Sequence, residues 1–349
     1  MTSLIFSAVT SFTIAFLTLP VIIRYSASKN LVDIPGRRKI HKRVTPTMGG
    51  IAIFIGFIIS LIIWINSSDL KTLRYFIISL LVIFFVGVRD DLMSLRPTTK
   101  LAAQVFIALI LVIYFDLRFH SLFGLFGIHS IPEYVSYALS VLTIVVIVNS
   151  FNLIDGLDGL AGTIGSITLI TYGIWFHLAG DSLYSLISFS MLGGMLAFLI
   201  FNWEPTEIFM GDSGALVVGL LLAIITIHFI EFNYSLPANH LYRYEGSVGT
   251  GICFVAVPLI DTLRILIIRI LRRQSPFTPD KGHVHHTITR LGLSHSETTL
   301  VLVGAQALFI VLSIIFRQTN DHYLILGAIT LGAILVLILH RAIHSRVNV

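Results

Sequence analysis

The chain has 349 residues, of which 56% are hydrophobic and only 12% are charged. Because an average soluble domain has about 25% charged residues, this composition excludes a protein whose main solvent is water. The formal net charge of +5 comes from lysines and arginines in short clusters between apolar runs, which is typical of membrane topology signals and not of a nucleic-acid-binding surface.

Apolar runs of membrane-spanning length recur along the whole chain. The first extends from Leu4 to Ile23. Arg24 follows it and no basic residue precedes it, so we expect a retained helix with its N-terminus outside and not a cleaved signal peptide. We therefore predict an all-α polytopic membrane protein, a single integral domain over residues 1–349, with about eleven transmembrane helices. The other ten runs lie at about 48–65, 73–89, 100–117, 134–151, 160–178, 183–201, 213–230, 248–270, 298–316 and 322–340.

The distribution of basic residues tests this topology, because an odd number of spans places the two termini on opposite sides. Of the 23 lysines and arginines, seventeen fall in loops assigned to the inside and five in loops assigned to the outside. This asymmetry agrees with the positive-inside rule and predicts a cytoplasmic C-terminus. The predicted cytoplasmic loops are 24–47, 89–100, 149–160, 202–214 and 271–297.

Two segments depart from regular spans. We expect Phe119 to Pro132 to be interfacial and outside, because histidines and glycines break its apolar pattern. In the ninth run, Pro258 removes a backbone donor and predicts a kink or break. Asp261 and Arg264 follow at i,i+3 spacing, and they most simply form an intramembrane ion pair, although charged residues at that depth are functional candidates too.

The first polar cluster on the predicted inner side is Asp90 with Asp91, followed by Lys100. Two adjacent carboxylates repel each other, so a cation is expected beside them, either a metal ion or Lys100. A solvated helix end next to Arg89 explains the pair equally well.

The second cluster is Asn149, Asn152, Asp155 and Asp158, in the stretch NSFNLIDGLDGLAG. Residues three apart share a helix face, so these side chains can converge on one polar ligand. Gly156 and its neighbouring glycine leave room for a backbone to approach a phosphate. A capped loop is the alternative, but it does not explain the two asparagines.

The third cluster ends in Met210-Gly211-Asp212-Ser213-Gly214, at the start of the eighth run. Two roles compete for the Asp212 carboxylate. It can cap the free amides of a helix, or it can hold Mg²⁺ beside a helix N-terminus that favours phosphate. Taken alone, the motif favours the cap.

The fourth cluster is the loop from Asp280 to His286, with His283, His285 and His286. The single cysteine, Cys253, lies in an apolar run, so a multi-cysteine metal site is excluded. Recognition of phosphate or sugar by imidazole donors fits better than a transition-metal site. An incidental basic loop is the alternative.

Together these motifs resemble the polyprenyl-phosphate N-acetylhexosamine-1-phosphate transferase family over about residues 30–300. The histidine loop is similar to that of the branch that begins O-antigen, enterobacterial common antigen, teichoic acid or arabinogalactan synthesis (the WecA and TagO type). It is less like that of the phospho-MurNAc-pentapeptide transferases. Six motifs in order carry the resemblance: RRKIHKRVTPTMGG at 37–50, Asp90-Asp91 with Lys100, NSFNLIDGLDGL at 149–160, NWEPTEIFMGDSGA at 202–215, PLIDTLR at 258–264 and SPFTPDKGHVHH at 275–286.

The resemblance implies helices around a cytoplasm-facing cleft, with a broken helix near a lipid groove, in a bacterial cytoplasmic membrane. It implies that Asp212 holds Mg²⁺, with Mn²⁺ as an alternative ion and Asn152 as a further metal contact. Asp90 and Asp91 would bind or activate the phosphate nucleophile and, with Asp212, form the catalytic set. The predicted substrate-binding residues are Lys42, Lys100, Asn149, Asn152, Asp155, Asp158, Arg264, His283, His285 and His286.

The function expected from this resemblance is transfer of N-acetylhexosamine 1-phosphate, most simply GlcNAc 1-phosphate, from a UDP-sugar to polyprenyl (undecaprenyl) phosphate with release of UMP. Phospho-MurNAc-pentapeptide transfer is the alternative within the family. A transporter is the alternative from another class, but it predicts ionisable residues near the bilayer midplane, whereas most carboxylates here lie at one face. The expected partners are these substrates and the bilayer, and a homodimer is left open.

Overall fold

The computed structural model describes residues 1–29, 31–33, 45–274 and 283–347. Lys42 and the part of the histidine loop before His283 lie outside these ranges, as does the side chain of His286. The helices are α1 Thr2–Ser28, α2 Gly49–Trp64, α3 Ser67–Thr72, α4 Arg74–Leu92, α5 Pro97–Tyr114, α6 Glu133–Ile154, α7 Leu160–Ala179, α8 Ser182–Asn202, α9 Gly211–Ser235, α10 Ser247–Phe254, α11 Ala256–Leu271, α12 Val284–Thr289, α13 His295–Ile315 and α14 Asp321–Val347. Strands β1 Val32–Asp33 and β2 Thr45–Pro46 pair antiparallel.

Every predicted apolar run coincides with one helix, or with the α10–α11 pair in the case of the ninth run. Seven of the described helices are long and apolar enough to cross a membrane, and the bent α10–α11 pair makes an eighth if it counts as one span. The predicted all-α polytopic membrane class is therefore confirmed, while the count of eleven spans stays a prediction.

Helix α9 lies at the centre of the bundle, with 83% of its most apolar stretch buried, against 17% for α14 at the margin. An apolar sequence on all faces is what a helix surrounded by other helices requires. The start of α9 is therefore fixed by neighbours on several sides, and this is where the third polar cluster lies.

Glycines let two helices reach the first turn of α9 at backbone distance. A Cβ atom on Gly50 of α2 would lie 2.0 Å from the backbone nitrogen of Gly214, and one on Gly87 of α4 would lie 2.5 Å from Cα of Ser213. The Gly50 N–H also donates to the carbonyl oxygen of Met210 at 2.8 Å. These contacts fix the N-terminus of α9 against α2 and α4.

The ninth run is broken, as predicted, and the bend lies three residues before Pro258, in the turn that precedes it. α10 and α11 meet at an angle of 83° at Val255 and not at Pro258. Pro258 instead lies in the first turn of α11, where helix amides have no intrahelical acceptor. Its missing N–H therefore costs no hydrogen bond, and proline is well tolerated there.

The segment from Phe119 to Pro132 folds back onto the bundle at the end where α5 finishes and α6 begins. It contains a 3₁₀ turn at Leu125–Gly127. The ring of Phe123 stacks on Tyr234 of α9 at 3.9 Å between centroids, and the Phe126 N–H donates to His322 of α14 at 2.9 Å. Its interfacial position stays a prediction.

Candidate active site

The first three polar clusters meet at one end of the bundle. This end is formed by the C-termini of α4 and α6 and the N-termini of α5 and α9. We call Asp90, Asp91, Asp155 and Asp212 the carboxylate cluster.

Asp91 caps the N-terminus of α9 from the neighbouring helix α4. Its Oδ1 accepts the backbone N–H of Asp212 at 2.7 Å, and its Oδ2 accepts that of Ser213 at 3.1 Å. Gly211 has a φ of 73°, and a Cβ atom there would lie 2.8 Å from the Asp91 carboxylate. The capping role predicted for Asp212 therefore belongs to Asp91.

Asp212 directs its carboxylate away from its own helix. Its Oδ1 accepts a hydrogen bond from Asn152 Nδ2 at 2.7 Å, and its Oδ2 pairs with Lys100 Nζ at 3.1 Å. Lys100 also contacts the buried carboxylate of Asp90. Lys100 thus supplies the cation expected beside the aspartate pair, and it joins that pair to Asp212.

Asp155 lies directly after α6, which ends at Ile154. The helical face predicted through residues 149–158 is therefore interrupted before Asp155. Burial, and then the nearby carboxylates of Asp212 and Asp91, raise the pKa of Asp155 to about 8. When Asp90, Asp91 and Asp212 are ionised, they carry more negative charge than Lys100 alone offsets, which favours a further cation or a cationic group of a ligand.

Asn149 and Asp158 do not point at one ligand together with Asn152. Asn149 forms a side-chain amide pair with Gln104 of α5, with nitrogen to oxygen distances of 2.5 and 3.4 Å. Asp158 is buried and hydrogen-bonds Nδ1 of His295 at 3.0 Å. The expected convergence of all four side chains was therefore wrong, and the contacts of these two join α5 to α6 and α13 to the turn before α7. Their predicted role in substrate binding stays a prediction.

The expected ion pair between Asp261 and Arg264 was also wrong. Both oxygens of the buried Asp261 carboxylate serve the histidine loop: Oδ2 hydrogen-bonds Nδ1 of His283, and Oδ1 accepts the Val284 N–H, each at 2.8 Å. Asp261 thereby fixes the start of α12 against α11. Substrate binding by Arg264, which is half-buried on α11, stays a prediction.

The histidine loop packs against the turn between α6 and α7. The rings of His283 and His285 lie nearly parallel, with centroids 5.6 Å apart. A Cβ atom on Gly156 would lie 2.9 Å from Nε2 of the buried His285. The space beside Gly156, which was predicted to admit a phosphate, is thus occupied by the imidazole of His285. This contact joins the second and fourth clusters.

The donor atoms of the carboxylate cluster suit Mg²⁺. This ion prefers oxygen ligands and is commonly held by one or two carboxylates together with substrate phosphates. In the part of the chain that the structure describes, no three His, Cys, Asp or Glu side chains are grouped to hold a metal by themselves. Asp212, with the amide of Asn152 beside it, therefore fits an ion shared with a phosphate ligand better than a closed protein site.

Comparison with known proteins agrees with the motifs. The protein family described as "Glycosyl transferase family 4" matches this chain over residues 73–230. The decaprenyl-phosphate N-acetylglucosaminephosphotransferase of Mycobacterium tuberculosis is 30% identical, over 93% of this chain and 85% of that protein. The chain belongs to glycosyl transferase family 4. The family resemblance of the motifs is thereby confirmed. The apolar helices and the bacterial relatives together indicate a multi-pass membrane protein.

Two other relatives of similar length carry related names. A probable undecaprenyl-phosphate N-acetylglucosaminyl 1-phosphate transferase of Bacillus subtilis is 29% identical over 89% of this chain and 86% of that protein. The undecaprenyl-phosphate alpha-N-acetylglucosaminyl 1-phosphate transferase of Pasteurella multocida is 31% identical over 87% and 84%.

Two residues that contact the polar clusters at this end of the bundle were not identified from the sequence. Gln104 lies one turn after Lys100 on the same face of α5, and a polar residue at that position was the available signal. His295 gave no local signal, because its partner Asp158 is 137 residues away.

Proposed function

We propose that the chain transfers N-acetylglucosamine 1-phosphate from UDP-N-acetylglucosamine to a polyprenyl phosphate at the cytoplasmic face of a bacterial inner membrane, with release of UMP. The observation that carries this proposal is the contact of Lys100 with both Asp90 and Asp212 at one end of an apolar bundle. It places a cation among carboxylates at a helix N-terminus, as the handling of two phosphorylated substrates requires. The names of the relatives support the acceptor and the sugar.

Two apolar cavities beside α11 support a lipid acceptor. One, of about 650 Å³, is lined by α6, α9, α10 and α11 and includes Leu139 and Leu263. The other, of about 450 Å³, lies among α11, α12, α13 and α14 and reaches Asp261 and His285. A polyprenyl chain in either cavity would lie beside α11, and in the second cavity its phosphate would lie toward the histidine loop.

In the proposed reaction, an oxygen of the acceptor phosphate attacks the sugar-bearing β-phosphorus of the donor. The new oxygen–phosphorus bond forms as the bond to the UMP oxygen breaks, so no proton is consumed. A phosphate monoester has a second pKa of about 6, so the attacking oxygen is largely ionised near neutrality and needs no strong base. We therefore assign Asp90 a role in orienting Lys100 and the acceptor.

Charge is the main obstacle, because both substrates are anionic. Lys100 is partly exposed and can transfer its ammonium contact from carboxylate to phosphate. Mg²⁺ held by Asp212, with Asn152 beside it, would supply further neutralisation of the donor pyrophosphate. We assign recognition of the sugar and its phosphate to His283 and His285.

The test is release of UMP by the purified protein with undecaprenyl phosphate, Mg²⁺ and a panel of UDP-sugars. We expect turnover with UDP-N-acetylglucosamine or a close N-acetylhexosamine, none with the muramyl-pentapeptide donor, and none after chelation of divalent ions. Asp69→Asn is a matched control, since this carboxylate lies in the first turn of α3 and contacts Asn66 and Ser68 there. Absence of UMP with every N-acetylhexosamine donor would refute the proposal, and use of the pentapeptide donor would reassign the branch.

A further inference from the structure

The break between α10 and α11 interrupts the hydrogen-bond ladder of a buried helix. In a continuous helix the N–H of Val257 would donate to the carbonyl of Cys253, and Phe254 would face the missing N–H of Pro258. Within a membrane, such backbone groups need partners inside the protein. The structure therefore has to supply an acceptor and at least two donors at this point.

The side chain of Gln306 on α13 supplies them. Its Oε1 accepts the Val257 N–H at 3.0 Å, and its Nε2 donates to the carbonyls of Cys253 at 3.1 Å and Phe254 at 2.9 Å. The amide thus replaces the bond that a continuous helix would form between positions 253 and 257. Gln306 is fully buried, and the hydroxyl of the equally buried Thr168 donates to the Phe254 carbonyl at 3.0 Å.

The far end of α10 is fixed as well. Asp321, at the start of α14, accepts the Gly249 N–H at 2.7 Å and the Tyr234 hydroxyl at 2.8 Å. With α10 held at its N-terminus, the direction of α11 depends on the break. α11 in turn carries Asp261, which holds His283.

We propose that Gln306 is a positioning residue for the transfer reaction. Its amide stabilises the 83° bend and thereby positions the Asp261–His283 pair relative to the carboxylate cluster. Gln306 acts through α11 and touches no substrate. The catalytic part of this inference rests on the proposed function, whereas the structural part does not.

The structural test measures the direction of α11 without any substrate. Spin labels are placed at Leu271, which is 78% exposed on α11, and at Ile200, which is 57% exposed on α8, with Cys253→Ala to remove the native thiol. Gln306→Met keeps the side-chain length but removes all three hydrogen bonds. We expect the distance distribution between the labels to shift and broaden. Ser313→Ala is the matched control, because this hydroxyl on the same helix bonds Ile310 within α13.

The catalytic test is turnover per folded, monodisperse enzyme. We expect at least a tenfold lower kcat for Gln306→Met, a smaller loss for Thr168→Val, and recovery with Thr168→Ser, which restores the hydroxyl. Ser313→Ala should keep full turnover.

The outcomes separate the two proposals. An unchanged label distance in Gln306→Met overturns the structural inference whatever the substrate. An altered distance with full turnover per folded enzyme overturns the positioning role. If the parent enzyme releases no UMP from any donor, the proposed function fails while the distance measurement still decides the structural part.

Discussion

Replacement of Asp91 tests whether this carboxylate stabilises the fold in addition to its predicted catalytic role. It accepts the N–H groups of Asp212 and Ser213 at 2.7 and 3.1 Å, the second and third residues of α9. Loss of a helix N-cap costs about 0.5–2 kcal/mol, and a negative charge at a partly buried helix N-terminus is worth up to about 2 kcal/mol. We therefore expect Asp91→Ala to lower the free energy of unfolding by about 0.5–4 kcal/mol.

The measurement is the melting temperature of the detergent-solubilised protein, followed by the amount of monodisperse protein left after heating. The expected loss corresponds to a fall on the order of 5 °C. Asp91→Asn keeps one oxygen acceptor and should recover part of it, because asparagine is also a good cap. Asp69→Ala, which alters an acidic residue outside the carboxylate cluster, should leave the melting temperature unchanged.

A melting temperature of Asp91→Ala equal to that of the parent, with turnover lost, would refute the reasoning. Asp91 would then act on substrate alone, and the first turn of α9 would be held by its glycine contacts with α2 and α4.

Three further predictions rest on the geometry of the site, and a fourth rests on the distribution of basic residues. Asp212→Asn should abolish turnover and weaken the Mg²⁺ dependence at unchanged melting temperature, because an amide lacks the charge that a hard cation requires; near-normal activity would end the metal assignment. His283→Ala should lower turnover about ten- to a hundredfold, and adding Asp261→Asn should cost little more, since the two side chains form one pair; fully additive losses would contradict that pairing. In the folded protein the pKa of Asp155 is raised from 3.8 to about 8, so the unfolded chain releases this proton first and stability falls as the pH rises through that range. Asp155→Asn should therefore raise the melting temperature in Mg²⁺-free buffer at pH 8 and less at pH 5, and an equal effect at both values would refute this. A reporter fused after Val349 should be active only in the cytoplasm, and activity outside the membrane would overturn the predicted topology.

Apart from the short α3 and α12, the helices could be predicted from the sequence because each belongs to a long apolar run, and membrane insertion leaves few alternatives for such a run. The carboxylate cluster could be predicted in part. Asp90, Asp91 and Lys100 are close in sequence, and the two adjacent carboxylates predicted a cation beside them. The motif around Asp212 favoured the wrong capping residue, because Asp91, which caps α9, lies 121 residues earlier in the chain.

The break between α10 and α11 shows the same limit. Pro258 is the strongest local signal, yet the bend is at Val255, where the backbone groups are paired by Gln306 and Thr168. Val257 and Gln306 are 49 residues apart. Local sequence thus predicts that the run breaks, whereas the point of the break is decided by the side chains packed around it.

The glycine contacts around α9 have a mechanical consequence. Where Gly50 meets Gly214 and Gly87 meets Ser213, backbones touch directly, so no side chain can change rotamer to let these helices slide. α11, in contrast, is bonded at its start to the amide of Gln306 and at Asp261 to the histidine loop, and hydrogen bonds of this kind can break and re-form. A relative movement of the two parts of the site would therefore need less rearrangement on the α11 side, which carries Asp261, than at the start of α9, which carries Asp212.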